Sequence, residues 1–342
     1  MLNDSRLRTI LEGFPTLTIA LVGDLFLDRY LEIEAGVREV SIETGSEAYQ
    51  VPRVRNAPGA LGTVMNNLAA LGIGRLRPVA VIGDDGHGYD LLQEIRRLPV
   101  DDDFIVQDPK RLTPTYTKPL QQDEAGVLRE LNRFDVRSRE PLSFDTCERL
   151  CQRLRTAFEQ SDGLIVLDQV EEPNWGVINR QVRSVLADLA RQDREKLIFV
   201  DSRAHLGEFS CGILKGNRSE LLAAVGLSVD SPSALQDAAR KLAVRTGNAV
   251  FATLGGDGIL IARPAGEVVL APGMTVKGPI DIVGAGDSAT SGIVASLLSG
   301  ADEFEAAQVA NLVASITIEQ LGTTGTATPE QVVLRRSETS PD

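Results

Sequence analysis

Short apolar runs ending in a glycine or an acid alternate along this chain with longer segments whose apolar residues recur every three or four positions. Leu17–Gly23, Pro78–Gly83, Gly163–Asp168, Lys196–Asp201, a run ending near Leu214 and Ala249–Gly255 read as buried strands. Between them, 4–13, 64–71, 89–98, 144–160, 174–192, 231–246 and 303–320 have helical spacing. Trp175 would begin one of these helices, as a packing residue. Segment 103–107 is extended, and 258–262 with 267–271 reads as a hairpin turning at Arg263-Pro-Ala-Gly266. Strands alternating with helices predict an α/β fold with a mostly parallel sheet and helices on both faces.

Two stretches break that rhythm. Residues 31–57 scatter Ile33, Val37, Val40, Ile42, Tyr49, Val51 and Val54 among charges without helical spacing. Thr113–Lys118 through Arg133-Phe-Asp135 is similarly extended and polar. Together they predict a small β-flap over 31–57 and 110–135, set on a discontinuous core of 1–30, 58–109 and 136–336. Exposed edge strands pair readily with another chain, so the flap is the expected homodimer surface. The tail 337–342 is expected to be disordered.

Composition then narrows the partners. The chain has 342 residues, 43% of them hydrophobic, enough for one large α/β domain with an appendage. A net charge of −13 excludes nucleic acid or an anionic membrane as main partner, though not a local basic pocket. No signal-like leader or membrane-length apolar run is present, and Cys147, Cys151 and Cys211 are too few for a disulfide framework. The expectation is a cytoplasmic protein with buried thiols. Only His87 and His205 exist, no Gly-x-Ser-x-Gly elbow accompanies them, and no Gly-x-x-x-x-Gly-Lys-Ser/Thr loop occurs, which disfavours hydrolases of the Ser/His/Asp type and P-loop nucleotidases.

The chemistry concentrates at Asp281-Ile-Val-Gly-Ala-Gly-Asp287, which runs into a small-residue helical segment. Gly284 and Gly286 let backbone N–H groups approach an anion, and the following helix N-terminus favours negative charge. Asp287 beside them is a base for a hydroxyl, the combination that phosphoryl transfer to an alcohol requires. A capped helix after a glycine turn is the other reading of the same residues. Asp24 and Asp28 follow the first strand: Asp24 reads as a turn residue, Asp28 as an acceptor for sugar hydroxyls. Asp168, Asp201, Asn217/Glu220 and Thr253/Gly255 end successive strands that would open on the same sheet edge as a cleft, and Asp168 and Asp201 also read as strand-end turn residues.

The order of these pieces resembles the ribokinase-type (PfkB) sugar kinases over roughly residues 16–335. Gly23…Asp28, the flap, Gly59…Gly62, Asn217-x-x-Glu220, Thr253-Leu-Gly-x-x-Gly258 and Asp281-x-x-Gly-Ala-Gly-Asp287 carry the likeness. Gly23-Asp-Leu-Phe-Leu-Asp28-Arg-Tyr30, Thr115-x-Thr-Lys118, Asn132-Arg-Phe-Asp135 and Gln320-Leu-Gly-Thr-Thr-Gly-Thr are similar to the kinase domain of bacterial heptose-phosphate kinases. The resemblance implies a ribokinase-like three-layer fold with a flap lid, ATP and Mg²⁺ as cofactors with K⁺ a further candidate, and a small sugar or sugar phosphate as substrate. It implies Asp287 as catalytic base and the N–H groups of Gly284, Ala285 and Gly286 as anion hole. Asn217 and Glu220 would organise Mg²⁺ through water. Thr253, Gly255 and Gly258 would lie by the nucleotide phosphates and Asn311 by the adenine. Asp281 and the Val283 carbonyl would hold a monovalent cation. Asp28, Gly59, Thr63 and Lys118 would face the sugar.

Two departures fall on the acceptor side. The family's Gly-Gly-x-x-Ala-Asn reads Gly59-Ala60-Leu-Gly62-Thr63 here, and the Ser-Asp-Tyr-x-Lys-Gly of heptose-phosphate kinases is replaced by Leu167-Asp168-Gln-Val-Glu-Glu. Kinases for another carbohydrate or a nucleoside therefore remain open, as does a catalytically weak nucleotide- or sugar-binding protein.

Overall fold

The structure is a computed structural model and describes residues 2–34, 36–37, 39–122 and 128–339. The apolar runs assemble into an eight-stranded sheet. Its order is Val268–Pro272, Gly258–Ala262, Val250–Thr253, Ile213–Asn217, Leu197–Ser202, Gly163–Asp168, Thr18–Gly23 and Arg75–Val79. The first three form antiparallel pairs, and every pairing from Val250–Thr253 onward is parallel.

Strand alternation divides the core between two helical layers. Ile19 and Leu21 face the layer containing Leu7, Met65, Ile293 and Val313, from helices Asp4–Gly13, Leu61–Ala70, Ala285–Leu298 and Glu303–Thr317. Ala20 and Val22 face Leu154, Leu186 and Leu242, from helices Phe144–Glu159, Arg180–Gln192 and Pro232–Thr246. Full burial of each such Leu or Ile contributes about 1.5–3 kcal/mol, which makes this sheet the rigid part of the molecule. Helices Ala285–Leu298 and Glu303–Thr317 approach so closely that a Cβ on Gly292 would stand 2.9 Å from the Ala310 Cα. That contact fixes the helix whose first turn holds Asp287.

A second sheet stands over the strand ends. Leu25–Ile33 runs antiparallel to Arg53–Ala60 and parallel to Thr115–Gln122, which also pairs with Leu128–Glu130 and Phe134–Val136. The flap strands therefore begin just after Asp24 and run to Ala60, so 25–30 and 58–60 leave the expected core. Leu25, Phe26 and Leu27 are buried, which gives this strand the apolar start of a core element before its polar half continues into the flap.

Two further expectations change. Trp175 lies in a turn; the helix starts at Arg180, where the Asn179 side chain accepts from Val182 N–H. A final helix, Pro329–Thr339, carries ordered backbone into the expected tail, and 340–342 lie outside the described residues. Among the described residues no helix is long and apolar enough to cross a membrane.

Candidate active site

Gly284 adopts φ +81° and caps the helix Ala285–Leu298. An added Cβ there would meet Thr324 Cγ2 at 3.3 Å and Thr63 Cγ2 at 3.7 Å, so the turn packs against the start of helix Leu61–Ala70. The first intrahelical bond is Ser288 N–H to the Gly284 carbonyl, which leaves the preceding N–H groups outside the helical ladder. Ala285 N–H donates to the Ile282 carbonyl at 3.1 Å. The expected three-donor hole is thus reduced at Ala285, whose donor closes the turn; Gly286 N–H still lies at the helix mouth.

Asp287 is half-buried in that first turn. Burial pushes its carboxyl up to about 7, repulsion from Asp201 adds to the rise, and Lys215 and Arg203 oppose it. Behind the turn, Lys215 is buried and donates from Nζ to Asp201 Oδ2 at 2.6 Å; Thr290 Oγ1 donates to the same oxygen at 2.8 Å. Burial pulls the Lys215 ammonium down, but the charge of Asp201 and the bond to it, with Asp287 and Glu220 behind, hold it above its ordinary value. A Cβ on Gly286 would stand 3.5 Å from Lys215 Nζ, which places the ammonium beside the cradle backbone. Sequence reasoning missed Lys215 and Arg203. The signal for Lys215 was a lysine inside the otherwise apolar strand Ile213–Asn217, where a charge needs a partner.

Asn217 and Glu220 form a capping box: Asn217 Oδ1 accepts from Glu220 N–H at 3.0 Å, and Glu220 Oε2 accepts from Asn217 N–H at 2.7 Å. Thr253 pairs with Asn217 across adjacent strands, so both side chains end on the same edge. Gly255 has φ +60° and open space around it. Gly258 differs. At φ +102° an added Cβ would lie 2.2 Å from the Ala271 carbonyl oxygen, so this glycine makes room for a neighbouring strand rather than for a ligand. Asn311 is likewise engaged: its Nδ2 donates to the carbonyls of Ala271 and Pro272 at 3.1 and 2.9 Å, tying its helix to the sheet.

Asp281 Oδ1 accepts from Val283 N–H at 3.0 Å and Oδ2 from Gly322 N–H at 3.2 Å. Both oxygens keep further acceptor capacity, and Val283 is exposed.

The acceptor side is built on the flap. Phe26, Asp28 and Tyr30 share one strand face, where Asp28 and Tyr30 lie opposite Tyr116 and Lys118. Lys118 Nζ lies 2.8 Å from Asp28 Oδ1 and 4.9 Å from the Tyr30 ring centre. Lys118 is therefore a partner of Asp28. A Cβ on Gly59 would sit 2.6 Å from Asp28 Oδ2, so this glycine leaves room for that carboxylate. Ala60 holds φ +52° and ψ −113°, a backbone shape suited to glycine, and Thr63 is buried. Asp24 is also buried; it accepts from Val177 N–H at 2.7 Å and Gln169 N–H at 3.2 Å, clamping the 169–177 segment. Asp168 accepts from Ser202 Oγ at 2.8 Å, and burial with repulsion from Asp24 pushes it to about 6.

Comparison with known proteins bears on this arrangement. The pfkB family carbohydrate kinase pattern matches residues 30–331. The bifunctional protein HldE of Trichlorobacter lovleyi is 30% identical over 335 residues, spanning 95% of this chain and 64% of that protein. HldE of Helicobacter pylori is 28% identical over 94% of this chain and 67% of its own length. The chain thus spans about two thirds, or slightly less, of these relatives. Phosphofructokinase-2 of Escherichia coli, in complex with potassium, superposes with a TM-score of 0.71 at 19% identity, covering 94% of this chain and 99% of that one. Ribokinase of Arabidopsis thaliana, with ribose and ATP, gives 0.67 at 17% identity, covering 93% and 98%. With a glycine cradle and an acid at one helix mouth beneath a β-flap, and a family match spanning most of its length, this chain belongs to the pfkB family of carbohydrate kinases.

Proposed function

We propose that this protein phosphorylates a hydroxyl of a sugar or sugar phosphate using ATP, in the manner of a heptose-phosphate kinase. The observation that carries the reading is Asp287: a carboxyl raised to about 7, at a helix mouth beside Gly286, with the Lys215 ammonium behind. Bound ATP supplies the phosphoryl group, and Mg²⁺ would neutralise part of its charge. Asn217, Glu220, Thr253 and Gly255 would hold that end. Asp281 and the Val283 carbonyl would hold K⁺.

Asp287 takes the proton as the hydroxyl oxygen attacks, and Gly286 N–H and Lys215 stabilise the charge on the group being transferred. Asp28 orients the sugar through its free acceptor capacity, with Lys118 fixing the carboxylate. The flap covers the reacting groups and limits access of water. Val40, Ile42, Tyr49, Leu128, Leu131 and Phe134 are exposed on the flap segments, which supports the flap as a homodimer surface; sedimentation of a Phe134→Glu variant tests it, with a shift to monomer expected.

Measuring ADP release across hexoses, heptoses and their phosphates tests the activity. Turnover of at least one acceptor is expected, reduced about 10²–10⁴-fold by Asp287→Asn. Full turnover in that variant on the same acceptor removes Asp287 as the base.

A further inference from the structure

Pleating sends alternate residues of Leu25–Ile33 to opposite faces. Asp28 and Tyr30 share one face, and Leu27 and Arg29 share the other. That second face meets helix Gly86–Ile95, whose Leu91 is buried in the same apolar cluster as Leu27. Arg29 Nη1 donates to Asp90 Oδ2 of this helix at 2.5 Å, with both side chains part-buried. Other charges of the flap turn inward: Arg55 pairs with Glu32 and Lys118 with Asp28, so they tie flap strands to one another. Arg29 reaches out to the core.

The same helix holds the neighbouring strand. Asp85 caps it: Oδ1 accepts from Gly88 N–H at 2.7 Å, and Oδ2 accepts from Thr113 N–H at 2.9 Å. Thr113 is fully buried, and its Oγ1 accepts from Gly83 N–H at 2.9 Å. From there the chain passes through Pro114, whose carbonyl accepts from Leu27 N–H at 2.8 Å, into Thr115–Gln122. A Cβ on Gly88 would stand 2.3 Å from the Gly83 carbonyl oxygen and 2.9 Å from Thr113 Oγ1, so this joint has no slack. The strands carrying Asp28 and Lys118 are therefore seated on one helix in two ways. Buried hydrogen bonds make a rigid joint at Thr113, and a charge pair farther out holds Arg29. A part-buried ion pair is the weaker of the two and is screened by salt, so seating can change at Arg29 while the joint stays fixed.

We propose that Arg29 and Asp90 are positioning residues for the phosphotransfer: their ion pair latches the flap to helix Gly86–Ile95 and so sets where the Asp28 carboxylate stands. The inference rests on the kinase reading above, in which Asp28 orients the acceptor. Arg29 follows Asp28 on one strand, so a shift of the first is carried to the second through the backbone. An acceptor that binds only the seated flap has its affinity reduced by the fraction of molecules in which the flap is seated. Losing the pair therefore raises the KM for the acceptor, whereas saturating acceptor reseats the flap and preserves kcat. ATP, which the core strand ends would hold, does not sense the latch.

The test compares wild type with Arg29→Gln, Asp90→Asn and the double variant, using the best acceptor among hexoses, heptoses and their phosphates. Each single variant should raise the acceptor KM about three- to fivefold and leave kcat and the KM for ATP within about twofold. Melting should stay within about 2 °C of wild type. The double variant should match either single one, because the same contact is lost in all three. Arg29→Lys keeps the charge and should recover most of the acceptor KM. At about 1 M salt, where the screening length is near 3 Å, wild type should approach the variants. Amide hydrogen exchange in Leu25–Ile33 should quicken in each variant by a factor similar to the rise in KM. An unchanged acceptor KM, equal losses for acceptor and ATP, or effects that multiply in the double variant overturn the proposal. Failure of the kinase reading has a different signature: wild type releases no ADP with any acceptor. Hydrogen exchange then decides the latch by itself, since unchanged exchange in both single variants overturns it.

Discussion

The two ends of the active site are built in opposite ways. The phosphate end is part of the rigid core: its glycine turn caps a helix locked to its neighbour at Gly292, and Lys215 stands on a central strand. The acceptor end of the proposed reaction lies on the flap, with Asp28, Lys118 and the strained Ala60 turn on strands outside the main sheet. Backbone geometry does much of the work at the first end, and side chains do nearly all of it at the second. Chemistry common to a family can therefore reside in the core while the choice of acceptor changes at the flap, where substitutions disturb little packing.

The contrast breaks most severely at Asp287. Asp287→Asn should lower kcat by about 10²–10⁴-fold for every acceptor tried, whereas an acceptor-side change such as Thr63→Asn should alter the ranking of acceptors and leave the KM for ATP near wild type. If both variants change acceptor ranking, the division into two ends fails.

Lys215→Met comes next. It leaves Asp201 buried without its ammonium partner, and breaking such a pair costs about 3–5 kcal/mol. Urea unfolding should show that loss, and Lys215→Arg should restore only part of it because the pocket fits a compact ammonium.

The pH dependence of Asp287 is a third test. Its folded pKa of about 7 exceeds the ordinary 3.8, so the folded state binds the proton more tightly. This group therefore favours folding at low pH, and its contribution is lost as pH rises from about 4 through 7. Asp287→Asn should melt higher than wild type, by a margin larger at pH 8 than at pH 5. Wild-type kcat/KM should meanwhile rise between pH 6 and 8 as the base ionises. A flat melting difference would show that the acid is not raised.

The smallest effect belongs to the acceptor turn. Ala60 holds a glycine-type conformation, and relief of that strain by Ala60→Gly should add about 1 kcal/mol, readable as a rise of a few degrees in Tm. A fall in Tm would mean that the Ala60 methyl stabilises more through packing than its backbone costs.

Much of this was legible in the chain. The run Gly163–Asp168 could only be a buried strand, and the spacing of Leu186 and Leu189 set one face of a helix, because these patterns are local. The glycine turn at 284–286 was equally clear. Other residues changed role once the chain folded. Gly258 and Asn311 carry motif positions, yet one clears space for the Ala271 carbonyl and the other ties a helix to the sheet. Lys118 resembled a ligand and is engaged by Asp28. Trp175 carried helical spacing but the helix waited for the Asn179 cap, whose hydrogen bond outweighed the pattern before it.

Sequence by itself determined the alternation of strands and helices, the two-face core and the cradle, since each follows from periodicity or from the backbone freedom of glycine within a few residues. Only the tertiary structure decided that Lys215 meets Asp201 and that Asp287 is raised. Those facts depend on charges far apart in the chain being brought into a shared environment of low polarity, where their interactions become strong enough to set function.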